Sequence, residues 1–308
     1  MSSAPADALQ PFVAGDVFVG ATLLNNPDDD HAGRGRILQF DADLNPKGCL
    51  WTEGTTHLVY GLNFAPDGVL WAFDPWAWQC VRVTPDGVQL PNVQFDTRTF
   101  SKALFPDDGS IVIIESMRGN NQPEPLTTRY TPMPGAEDQL GDGNIYRYTP
   151  DGELLNTYVP DIHGGMSGSM AVTHAALSKD GRYLTYVSET GPRLMRFDLQ
   201  ENRQLPDLFD LSDTPGEMFF DLARLSDDSL VLSRGNRLEV VSFAGDADRT
   251  IELEGFGWAL VTATTDDQYV YAGNWFSGQL VKVNLINGAT EAEIKVAEKC
   301  MAGIAVYK

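Results

Sequence analysis

RLMRFD, Arg193 to Asp198, alternates polar and apolar residues, which is the period of a strand with one face buried and the other wet. Five near-copies accompany it: RILQFD from Arg36, QCVRVT from Gln79, NIYRYT from Asn144, RLEVVS from Arg237 and QLVKVN from Gln279. Successive starts lie 43, 65, 49, 44 and 42 residues apart. Four of these gaps match the length of one four-stranded propeller blade, and the 65-residue gap marks an insertion.

The residues ahead of each copy repeat one order of events: a small apolar run, an Asp/Gly turn, a β-rich run and a polar tip. His57 to Pro85 has all of them, with YGLNFA, the turn Pro66 to Gly68, VLWAF, the tip DPWAWQ, CVRVT and a second turn at Pro85 to Gly87. ALFPDDGSIVIIE, AALSKDGRYLTYVSE, ARLSDDSLVLSR and LVTATTDDQYVYAGN continue the scheme, giving five complete units. The first unit opens on DVFVGATLL with no inner strand before it, while the chain ends in CMAGIAVYK, which resembles YGLNF and is followed by nothing. Pairing the two closes the ring and removes a free edge. The expected fold is an all-β, six-bladed propeller of antiparallel blades, one domain over 1–308, with residues 116–143 inserted in the third blade.

Alternating strand direction assigns every loop to one of two faces. The Asp/Gly turns share one face, short and regular. The tips and blade-to-blade crossings share the other, which holds three irregular segments: Asn25 to Gly35, Ser116 to Gly143 and Asp161 to Thr173. Loops this long in a compact fold are commonly lids or binding loops, so the 116–143 insertion is expected over the channel mouth.

Composition bounds the partners. A net charge of −21 repels phosphate backbones, and the Lys and Arg residues are scattered, so nucleic acid is not expected. No apolar run reaches the roughly 20 residues of a membrane helix, so no membrane partner is expected either. MSSAPADALQPF has no basic or apolar leader pattern, and three widely spaced cysteines form neither a metal motif nor a disulfide framework. Both fit a cytoplasmic protein.

With these repeats in view, SKDGRYLTYVSETGPRLMRFD resembles the six-bladed propeller group of gluconolactonase and regucalcin, strictosidine synthase-like and NHL-repeat proteins. The resemblance implies the fold. Gluconolactonase-like members hold a divalent metal with Glu, Asn and Asp near the starts of inner strands. Aligned on the Asp/Gly turns, that column here reads Ala302, Tyr60, Ser101, Thr173 and Asp221, and the sixth blade is too irregular to place. One carboxylate is too few for a hard cation, and the group's Glu-Gly-Pro opening is missing. The cofactor expectation is therefore none, or a divalent cation held by tip carboxylates.

Candidate chemistry gathers on the irregular face. Asp74, Glu115 and Glu189 recur at tips, with Arg234 and Asn274 in similar positions; paired carboxylates across a mouth suit acid and base roles, although solvent-facing tips are polar in any case. His31, His57, His163 and His174, the whole histidine complement, fall there too, and histidine titrates near neutrality. Trp76, Trp78, Trp258, Trp275, Phe219 and Phe220 add apolar surface, and Arg98 or Lys102 would take an anionic group. Gly-x-Ser-x-Gly, phosphate-loop, dinucleotide and His-Glu-x-x-His motifs are absent. The expectation is a propeller enzyme of hydrolase or lyase type acting on a small, partly apolar molecule. His174 is the expected base and Glu189 its orienting acid, with Glu115 and Asp221 as partners. His57, Tyr60, Trp76, Arg98, Lys102, Trp258 and Asn274 would contact the substrate. The competing expectation is a non-catalytic propeller binding a ligand or a protein on the same face.

Overall fold

The structure is a computed structural model that describes residues 8–26, 29, 32–123 and 129–308. His31 and residues 124–128 of the insertion lie outside the described residues. Six antiparallel sheets follow one another along the chain, each running from an inner to an outer strand. The first combines Met301–Val306 with Val17–Leu24, Gly33–Phe40 and Pro46–Trp51, so the C-terminal strand is its innermost member and closes the ring as expected. The second has Tyr60–Phe64, Leu70–Asp74 and Gln79–Val83, with its outer position reduced to isolated bridges from Cys80 to Val93 and Val83 to Gln89. The third has Phe100–Leu104, Ile111–Glu115, Ile145–Tyr148 and Leu154–Tyr158; the fourth has His174–Leu177, Tyr183–Val187, Arg193–Asp198 and Arg203–Asp210. The fifth has Leu222–Arg224, Leu230–Ser233, Arg237–Val241 and Ala247–Glu252, and the sixth Trp258–Ala263, Tyr269–Asn274, Gln279–Asn284 and Thr290–Lys295. Each inner strand touches the inner strands of both neighbouring blades. The six therefore enclose a central channel.

The alternating pattern that marks each strand places its apolar face between blades. Val19, Leu38 and Phe40 of the first sheet pack against Leu260, Tyr271 and Leu280 of the sixth, and Leu104, Val112 and Ile145 of the third against Leu184, Met195 and Phe197 of the fourth. Each fully buried side chain of this size contributes roughly 1.5–3 kcal/mol. At one such position the hydroxyl of Tyr271 donates to the Ala42 carbonyl at 2.7 Å.

The Asp/Gly face has one chemical device repeated five times. Asp67, Asp108, Asp180, Asp227 and Asp266 each accept the backbone N–H two residues on, from Val69, Ser110, Arg182, Ser229 and Gln268. This side-chain bond mimics a backbone turn and fixes the hairpin between inner and second strands. In the fifth and sixth blades Asp228 and Asp267 occupy the left-handed position at φ 68° and 56°, which Asp tolerates better than most non-glycine residues.

At the other end of the channel the inner strands are irregular. Register shifts interrupt the pairing between Gly20 and Ala21, Tyr60 and Asn63, Phe100 and Lys102, and Trp258 and Leu260. Gly61 sits at φ 59°, and a Cβ there would lie 1.6 Å from the Ser101 carbonyl oxygen. Only glycine allows that approach of two inner strands. Bulges re-aim side chains and concentrate beside functional sites.

Candidate active site

The starts of the inner strands surround a cavity of about 380 Å³, within the range of small-molecule sites. Its wall is mainly apolar, including Leu58, Tyr130, Met170, Trp275, Phe276 and Met301. Insertion and crossing cover it together. The 116–143 insertion begins and ends in a short ribbon pairing Arg118–Gly119 with Gly141–Asp142, and it bonds to the fourth-blade crossing through Arg118 N–H to Ser169 O and Ala171 N–H to Ser116 O. Tyr130 of the insertion stacks on Trp76 with ring centroids 3.7 Å apart. The aromatic tip residue thus anchors the cover, whereas Tyr130 and Leu58 line the cavity.

Thr22, Ser116, Ser167, Thr190 and Lys299 add polar groups to this wall, and its buried ionisable cluster centres on His174. His174 opens the inner strand of the fourth blade and is buried. Its Nδ1 lies 3.1 Å from Asp221 Oδ1, its Nε2 2.8 Å from the Tyr60 hydroxyl and 3.8 Å from Glu189 Oε2. Asp221 precedes the inner strand of the fifth blade and accepts two further N–H groups, from Leu222 and Val261. These bonds immobilise the carboxylate behind the imidazole. Thr173 sets the third partner: its hydroxyl donates to Val187 O and accepts Glu189 N–H, so inner strand and tip are tied one residue before the histidine. Tyr60, His174 and Glu189 line the cavity, whereas Asp221 is buried behind them.

The electrostatics make His174 a cation. Burial by itself favours neutral imidazole, but the Asp221 carboxylate, with Glu189 beyond it, pushes the pKa up to about 9. The same ion pair holds Asp221 below the usual carboxylate range against its own burial. Burial and the nearby Glu189 and Asp221 charges raise Tyr60 far above the usual phenol value, so it stays protonated. In the imidazolium both ring nitrogens donate: Nδ1–H to Asp221 and Nε2–H to the Tyr60 oxygen. The arrangement presents proton donors at Tyr60 and His174, and Glu189 as an acceptor. The carboxylate nearest the imidazole is Asp221 at 3.1 Å, with Glu189 at 3.8 Å.

The remaining expected residues are placed elsewhere. Glu115 is buried beneath the insertion, accepting Asn144 N–H and the Tyr146 hydroxyl with Arg98 at 3.6 Å; burial raises its pKa to about 7 against these favourable contacts. Arg98 is engaged by Asp142 and Asp96. Asp74 accepts four hydrogen bonds, from Thr56 N–H, the Thr56 hydroxyl, Trp76 N–H and Ala77 N–H, and Asn274 accepts Ser277 N–H and donates to Phe256 O. Both cap their own tips. Trp258 is buried between the fifth and sixth blades with its indole N–H on Glu254 O, His57 is buried edge-on to Trp76, and His163 lies within the crossing with its backbone N–H on the Ser188 hydroxyl. Lys102 lines a different cavity, at the other end of the channel. Among the described residues no three His, Cys, Asp or Glu side chains converge as a metal site.

Comparison with known proteins agrees at the level of architecture. No protein-family model matches the chain, and no curated protein sequence does. Among solved structures, the chain is similar to a nidogen/laminin complex at 12% identity and TM-score 0.65, covering 96% of this chain and 99% of the other. It is also similar to a catalytically inactive His-to-Ala variant of virginiamycin B lyase from Staphylococcus aureus with quinupristin, at 14% identity and TM-score 0.56, covering 98% and 95%. At such identities the likeness is one of fold, a six-bladed propeller.

Proposed function

We propose that the irregular mouth is the active site of a lyase-type enzyme acting on a small, largely apolar molecule. The observation that carries the reading is the bridging of buried His174 between Asp221 and Tyr60 in a mainly apolar wall, with Glu189 3.8 Å away. Isolated polar groups are expensive to bury, and here three side chains from three blades converge on one. Glu189 would take a proton from carbon, the C–H electron pair would form the new double bond, and the leaving group would depart with a proton from Tyr60 backed by His174. Proton return from Glu189 to His174 then restores both groups. A covalent hydrolytic route has less support, because no Ser or Cys nucleophile bonds His174 among the described residues and burial raises the Cys300 thiol to about 11. The lyase among the structural relatives is in keeping with this choice but does not carry it.

The test is a panel of lactones, esters and amides bearing β-leaving groups, followed by ultraviolet absorbance of the conjugated product and by ¹⁸O incorporation from labelled water. Expected is an unsaturated product without ¹⁸O, with kcat lowered about 100-fold or more in His174→Asn and Glu189→Gln. Products labelled with ¹⁸O would place the enzyme with hydrolases, and saturable binding without turnover would favour the binding propeller.

A further inference from the structure

The opposite end of the channel holds a second cavity, of about 260 Å³, walled by the far ends of the inner strands. Its charge is inverted relative to the rest of the molecule. The chain carries 43 Asp and Glu against 22 Lys and Arg, yet among the described residues this cavity is lined by Lys102, Lys179, Arg224 and Lys308 against the single side-chain carboxylate of Asp107. The four cations come from four blades and line one cavity: Lys102 from the inner strand of the third, Lys179 from a turn of the fourth, Arg224 from the inner strand of the fifth, and Lys308 just past the inner strand of the first.

Lys102 is the informative member. It is half-buried within the channel, and its ammonium makes no hydrogen bond or ion pair among the described residues. Asp221, which feels its charge, is already committed to His174 and to two backbone N–H groups. The Lys179 side chain is likewise unpaired, its backbone N–H alone bonding to Asp228, while Arg224 shares Asp228 at 3.2 Å and keeps donors to spare. Retaining a partly desolvated ammonium with no carboxylate in direct contact is unfavourable unless an anion completes the site.

We propose that this cavity binds a small multivalent anion bearing phosphate or carboxylate groups, distinct from the substrate of the opposite mouth. Calorimetry on the full chain at low salt, with inorganic pyrophosphate and with citrate as probes, tests it. Expected is one site per chain for at least one probe, weakened about tenfold or more by Lys102→Met and by Arg224→Gln, and weakened by added salt. Preference for one probe identifies the headgroup chemistry. Lys179→Glu, an exposed change that leaves the fold intact, supplies the same test should Lys102→Met fail to fold. Absence of binding by both probes up to about 10 mM, or binding that none of these substitutions alters, overturns the proposal.

Discussion

The two mouths of one channel are built on opposite plans. On the Asp/Gly mouth five aspartates repeat one turn, the inner strands end in register, and a polar, cationic cavity results. On the irregular mouth four of the six inner strands carry register shifts, two long loops bond to one another, and the cavity is mainly apolar, with a buried polar cluster where Tyr60, His174 and Glu189 meet. Repetition builds the ring, whereas departures from repetition shape the mouth where Tyr60, His174 and Glu189 meet. A bulge costs ladder hydrogen bonds, and it persists where re-aiming a side chain compensates.

The largest expected effect breaks the irregular mouth outright. Gly61→Ala forces a Cβ onto the Ser101 carbonyl and a left-handed backbone onto alanine, and a chain unfolded or destabilised by more than about 4 kcal/mol is expected by denaturant titration. Gly109→Ala on the regular mouth, where φ is also positive but an added Cβ meets nothing within 4 Å, should cost only about 1 kcal/mol. Equal losses at the two sites would erase the distinction.

Next comes Asp221→Ala, which leaves the buried imidazole without its counter-charge. A loss of roughly 3–5 kcal/mol is expected, and the remaining burial should drive His174 neutral. The pH dependence follows with its sign. Because His174 is raised to about 9, its stabilisation is complete below the unfolded value near 6.5 and disappears as pH rises through 9. Glu115, raised to about 7, favours its neutral form, so stability also falls as pH climbs from about 4.5 to 7. Each slope amounts to a few kcal/mol, and urea midpoints should lose the upper slope in His174→Asn and the lower one in Glu115→Gln. A flat profile in the parent protein would contradict both assignments. The smallest effect sharpens the comparison: Asp180→Ala deletes one of five equivalent turn bonds and should cost about 1 kcal/mol with no change in the titration of His174.

Much of this fold is legible in the sequence because four of the five gaps between repeats are 42–49 residues and the first and last strands are complementary. His174, Glu189, Asp221 and Tyr60 are recognisable as candidates, since strand starts and tips face one mouth whatever the exact register. The rest is hidden for physical reasons. Asp74 and Asn274 read as site residues, yet the same oxygen atoms that suit a ligand suit the N–H groups of a tight tip. The sixth inner strand resists placement because its bulge between Trp258 and Leu260 shifts the column by one residue, which brings Ala259 and Leu260 to the cavity and turns Trp258 into the core. Arg98 and Lys102 are near neighbours in sequence but serve different ends of the third blade. Tyr130 and Leu58 carry no signal beyond being apolar in a loop.

The irregular mouth holds a histidine cation between a fixed carboxylate and a phenol. Nitrogen-15 NMR of the His174 side chain across pH 5 to 10 tests it most directly. The account predicts both ring nitrogens protonated at pH 7.5 and a midpoint near 9. A midpoint below 6.5, with one nitrogen bare at neutral pH, would contradict it and make His174 a neutral imidazole whose role as proton donor could not stand.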